Sequence, residues 1–192
     1  MKKLLSALWK MPLPALMLVY ALTYAFATFK EYQLTSGGVV SEMFSELNGV
    51  GVAYSPAYVI GAFIFGILFA VLVNYLLIRI WYRIFTLIYV RTFTKGRAAL
   101  IRVKLPFSVS QFVTLIFILL VFFNIALGLV RLLYFAGIQY YALVQYVLYP
   151  VCALLTTAFG VYIFNKYILP DSVAYNATLA LILPLILMIF YM

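Results

Sequence analysis

The sequence predicts an all-α, polytopic transmembrane bundle of about five spans, and three observations carry that prediction. Hydrophobic residues make up 68% of the 192-residue chain and charged residues only 9%, against about 25% charged in an ordinary soluble domain. Apolar windows of near-spanning length recur along the chain, since about 20 apolar residues cross a hydrocarbon core of roughly 30 Å. The lysines and arginines are concentrated in alternate connections, as the positive-inside rule requires of short loops. The whole chain, 1–192, reads as one membrane domain with no room for a separate soluble one.

The first window, 11–29, is preceded by Lys2, Lys3 and Lys10 and closed by Lys30 and Glu31. Pro12 and Pro14 fall in its first turn, where a missing N–H costs least. Lysines, an apolar stretch and Ala25-Phe26-Ala27 also describe a cleavable signal peptide over 1–27. Cleavage would leave four spans in the same orientation. The second window, 56–78, opens at Pro56. The third runs over 107–130, the fourth over 141–164 and the fifth over 173–192, with Asp171 read as the N-cap of the last helix.

Two connections have internal pattern. In the first, Val40, Met43, Phe44 and Leu47 recur at helical spacing with Glu42 and Glu46 on another face, predicting an amphipathic outer-loop helix. In the second, Arg79, Arg83, Arg91 and Lys95 come at multiples of four among Ile80, Trp81, Ile84, Phe85, Ile88 and Tyr89. That spacing predicts a basic inner-loop helix continuing the second span to near Lys95-Gly96, followed by Arg97, Arg102 and Lys104. Placing these cations inside puts the N-terminus in the cytoplasm and the C-terminus outside, in a cytoplasmic (inner) membrane.

The net charge of +9 is thereby accounted for as topology and anionic-headgroup contact on the inner face, with no nucleic-acid partner. The chain has no histidine and one cysteine, Cys152, so neither a disulfide within the chain nor a cysteine metal cluster is expected. No phosphate-binding loop, nucleophile elbow or carboxylate pair is present. No catalytic, cofactor or metal site is predicted. Arg131, just after the third span, is read either as an interface anchor or as the partner of Glu42 or Glu46 in an outer clamp. Neutral polar residues fall inside the spans, among them Asn74, Gln111, Asn124, Gln145, Thr157, Asn165 and Asn176. Such groups join helices or, gathered on one cavity, line a path. Asn74, Asn124 and Gln145 are the discriminating three: one shared cavity would mean a small transporter or channel component for a small or lipid-like substrate. Dispersal among helix contacts would mean a non-enzymatic scaffold or accessory subunit binding lipids, another membrane protein or a second copy.

The cytoplasmic start, long first outer loop and five spans resemble the Yip1-type membrane domain. So do the stretch from Thr94 through Lys95-Gly96 and Ala98-Ala99 to Pro106 and Phe107, and the tail from Gly160 through Tyr167, Leu169 and Ala174 to Leu183-Pro184. The polar Tyr-Gly and Asp-Leu-x-Gly-Pro signatures of that family's eukaryotic members are missing. The resemblance therefore implies the five-span fold and not a trafficking role.

Overall fold

A computed structural model describes residues 2–35, 56–93, 105–135, 147–170 and 172–189, with side chains described for 3–27, 61, 64–93, 105–130, 147–170 and 172–187. These residues form six helices and no strand: α1 Lys2–Lys10, α2 Leu13–Thr35, α3 Pro56–Phe93, α4 Val109–Phe135, α5 Tyr149–Tyr167 and α6 Val173–Ile189. Two stretches, Ile64–Phe93 and Val109–Val130, are long and apolar enough to cross a membrane, while Leu13–Ala27 and Val173–Leu187 are shorter apolar helices. The all-α expectation is met, whereas two of the five expected spans appear as helices of full spanning length among the described residues. The predicted fourth span begins outside the described residues, and the amphipathic outer-loop helix lies wholly outside them.

The chain start differs from expectation. The N-terminal lysines lie on a separate helix, α1, and the break before α2 has a local cause. Pro12 has no N–H to donate and disfavours a helical Met11 before it. The chain closes α1 with a tight turn, Met11 N–H to the Leu8 carbonyl at 3.3 Å, and reopens with Leu16 N–H on the Pro12 carbonyl at 3.1 Å.

Helix α3 opens on Pro56, whose ring suits a first helical position, and runs unbroken for 38 residues. At 1.5 Å per residue it is about 57 Å long, nearly twice a hydrocarbon core. The predicted basic continuation is therefore part of the same rod, and the loop expected from Arg79 begins later. Val71, Asn74, Ile78 and Phe85 are buried along it, spaced by three, four and seven, so one seam faces the bundle from Val71 to Phe85.

The start of α4 is specified by its own residues. Ser108 Oγ accepts the Gln111 N–H at 3.2 Å and Gln111 Oε1 accepts the Ser108 N–H at 2.8 Å. Phe107 before the cap stacks on Phe112 after it, centroids 6.5 Å apart. Together these are a capping box and a hydrophobic staple. Gln111, grouped above with the polar residues of the spans, is thus a capping residue. At α6 the Ser172 carbonyl accepts the first helical bond, from Asn176 N–H at 3.0 Å. Asp171, the expected cap, lies outside the described residues.

Helix α4 is the hub, packing on α1, α2, α3 and α5, while α6 closes the ring between α3 and α5. Phe112, Leu115, Phe117, Ile118 and Leu120 on α4 are fully buried. Small residues set the α4–α5–α6 approach: Ala153, Thr157 and Gly160 are buried on α5. A Cβ at Gly160 would stand 2.7 Å from both Leu119 Cδ1 of α4 and Leu183 Cδ1 of α6.

The helix ends are tied by rings. Phe107 meets Tyr82 of α3, Phe164 of α5 and Tyr175 of α6 edge-on at 5.9, 5.3 and 5.8 Å, and Trp9 of α1 stacks on Tyr167 of α5 at 5.1 Å. The end of α1, the later part of α3, the start of α4, the end of α5 and the start of α6 thus gather at one end of the bundle. That arrangement is what successive helices of alternating direction produce.

Candidate functional site

Buried polar groups in an otherwise apolar bundle are the first candidates for function, because each must find a partner or carry a desolvation cost. Asn74 of α3 and Asn124 of α4 are both buried, the latter at 0% exposure. They meet the same short segment of α2. Asn74 Nδ2 donates to the Tyr20 hydroxyl, and Asn124 Nδ2 reaches Thr23 Oγ1 at 3.5 Å. Tyr20 and Thr23 are three residues apart on α2, so they lie on one face a turn apart. Tyr20 is held there by Phe117 of α4, edge-on at 5.3 Å.

Donor and acceptor counting fixes part of this arrangement. The single proton of Thr23 goes to the Tyr20 carbonyl, 2.9 Å away, so its oxygen is left as an acceptor for the Asn124 amide. Asn124 must then present its NH2 group to Thr23 and turn Oδ1 away. That Oδ1 is buried without a hydrogen-bond partner, as are Oδ1 of Asn165 and of Asn176 at the aromatic end. Other hydroxyls close on their own helix: Thr86, Thr157 and Thr178 donate to the Tyr82, Ala153 and Ala174 carbonyls at 2.9, 2.8 and 2.9 Å. These bonds satisfy the three hydroxyls within their own helices.

Of the three discriminating residues, Asn74 and Asn124 are therefore helix contacts on two seams of α2, and Gln145 lies outside the described residues. Sequence reasoning missed their partners. Thr23 lies in the first window between alanines, one turn after Tyr20. Their spacing of three, matched to amides in two later windows, was the signal available.

The basic residues separate into two groups. Arg79, Arg83 and Arg91 are exposed on α3, and Arg79 lies 5.7 Å from the Tyr75 ring centroid. Lys166, exposed at the end of α5, stands over the rings of Tyr162 and Tyr167 at 5.6 and 5.3 Å. The Tyr162 hydroxyl beside it holds its ammonium above the ordinary lysine range. Lys95, Arg97, Arg102 and Lys104 lie outside the described residues. Arg131 is in the last turns of α4, its side chain outside the description, and Glu42 and Glu46 lie outside it too, so the outer clamp has no geometry here. Among the described residues, no group of three or more His, Cys, Asp or Glu is placed to hold a metal ion.

No protein-family profile, curated protein or solved structure matches this chain. Its chemistry is therefore read from its own side chains.

Proposed function

We propose that this chain is a non-enzymatic integral membrane protein, a scaffold or accessory subunit that binds lipids and other membrane proteins through its helical bundle. Under this reading it crosses a cytoplasmic membrane five times, N-terminus in and C-terminus out, with the Yip1-type order of spans. The observation that carries it is the fate of the buried amides. A transporter would gather Asn74 and Asn124 on a cavity, whereas here Tyr20 and Thr23 of α2 take their NH2 groups into two helix contacts. The apolar face of α3 supports the same reading. Phe65, Phe69, Leu72, Leu76 and Ile80 are each more than half or half exposed, a surface that lipid or a neighbouring protein must cover.

The test is mass spectrometry of the protein extracted in native lipid discs. A stoichiometric protein partner is the expected result. Recovery alone with one retained small molecule would overturn the reading in favour of a transporter or channel component.

That second reading has one observation in its favour, the unpartnered Asn124 Oδ1, which a polar guest would satisfy. Asn124→Leu separates the two. Leucine gives up the long amide contact to Thr23 but also removes a buried acceptor with no donor, so stability should change little. A guest seated on the amide would be lost, with a fall in stability and release of the retained molecule.

A further inference from the structure

We infer that α1 is a docking face for the phosphate of an anionic phospholipid, held by Lys3 and Lys10 with the Ser6 hydroxyl between them. The inference rests on the membrane reading above and extends it to a site outside the spans and outside the arginines of α3.

At nine residues, α1 is about 14 Å long and cannot cross a bilayer. Its sequence divides it sharply. Leu5 and Leu8 are buried at 2% and 6% exposure, and Trp9 stacks on Tyr167 of α5 at 5.1 Å and 24°. This arc fastens the helix to the end of the bundle where α2 begins and α5 ends. The opposite arc carries Lys3, Ser6, Ala7 and Lys10, which share one open face of the helix. Lys3 and Lys10 are two turns apart on that arc, about 10 Å along the axis. The hydroxyl of Ser6 sits between them as a further donor for phosphate oxygens.

The ligand is a lipid headgroup because of what flanks the lysines. Leu4 lies between the buried arc and the lysine arc and is 56% exposed, so apolar surface adjoins the cationic face. Leu18 and Leu22 of α2, the helix into which α1 turns, are exposed at 62% and 64%. A free phosphate makes no use of such surface, whereas the first methylenes of an acyl chain do. α1 carries no acid in its sequence, KKLLSALWK, that would compete for the lysines. Fastened by its apolar arc, the helix presents two ammonium groups on one face, and each is worth about a fivefold preference for anionic over neutral lipid near the surface.

The chain's two tryptophans make the test. In Trp81→Phe, Trp9 of α1 is the sole indole; in Trp9→Phe, Trp81 of α3 reports on the bilayer. Each variant is reconstituted in vesicles of phosphatidylcholine with either brominated phosphatidylglycerol or brominated phosphatidylcholine, and quenching is compared. Trp9 should be quenched several-fold more effectively by the anionic lipid, and Lys3→Gln with Lys10→Gln should bring the two lipids level, while Arg83→Gln leaves the preference intact. Equal quenching of Trp9 by both lipids, or a preference that survives loss of both lysines, would overturn the inference. Quenching of Trp81 without quenching of Trp9 would overturn it while leaving the membrane reading intact. Absence of quenching at both tryptophans would sink the membrane reading itself.

Discussion

The most apolar 18-residue window of α3, within Ile64–Phe93, has a mean hydropathy of 2.1 and is 11% buried; that of α4, within Val109–Val130, has 2.8 and is 67% buried. Two segments of similar chemistry thus occupy opposite places. Hydropathy reports the solvent a helix tolerates, and lipid tails are as apolar as leucine, so it does not report which neighbour the helix will have. What separates α3 and α4 is shape and the placement of polar groups. Helix α4 has a strong cap at Ser108, buried rings on successive turns and a glycine-lined approach from α5. Helix α3 offers one seam, punctuated by Asn74, and turns the rest outward.

The largest effect expected from this contrast comes from removing a ring on each helix. Phe117 is fully buried and Phe65 is 70% exposed. Phe117→Ala should cost about 2–3 kcal/mol, less than in a water-soluble core because the cavity term survives in a bilayer while the transfer term largely drops out. Phe65→Ala should stay within about 0.5 kcal/mol. Reversible unfolding in mixed micelles measures both, and comparable losses would erase the distinction between the two helices.

Crowding the α4–α5–α6 approach comes next. Gly160→Leu places a side chain against Leu119 and Leu183 and should destabilise by about 2 kcal/mol. Gly160→Ala should cost less, because the two Cδ1 atoms 2.7 Å from its Cβ are the mobile ends of their side chains. If the leucine variant unfolds at the wild-type denaturant midpoint, the packing at Gly160 is looser than described.

The smallest effect tests what attaches α3 to the rest. A double-mutant cycle of Tyr20→Phe and Asn74→Leu should return a coupling of about 0.6 kcal/mol, the average for interhelical hydrogen bonds in bilayers. Additive losses would mean that the amide and hydroxyl do not act together.

Much of the helix order was legible in the residues, because runs of apolar residues between Pro56, Pro106 and the basic clusters mark segments whatever their packing. The continuation of α3 through Arg79, Arg83 and Arg91 was legible too, from their spacing. α1 was not recognised: Lys2, Lys3 and Lys10 were read as topology signals, although Leu5, Leu8 and Trp9 stand opposite Lys3 and Lys10 on a helical wheel. The polar site was half legible. Asn74 and Asn124 stand out in any apolar window, but the side of a helix that a hydroxyl faces depends on tertiary register, which put Tyr20 and Thr23 beyond a reading of single segments. The hub role of α4 was the least legible, since a lipid-facing and a bundle-facing leucine are the same letter.

The most direct test of this account is photolabelling in bilayers with a diazirine carried on the lipid tail, mapped residue by residue by mass spectrometry. Label should collect on the α3 stripe of Phe65, Phe69, Leu72 and Leu76 and pass over Leu115, Phe117, Ile118 and Leu120 of α4. Label on α4 equal to that on α3 would contradict the account, since the helix placed at the centre of the bundle would then be facing lipid.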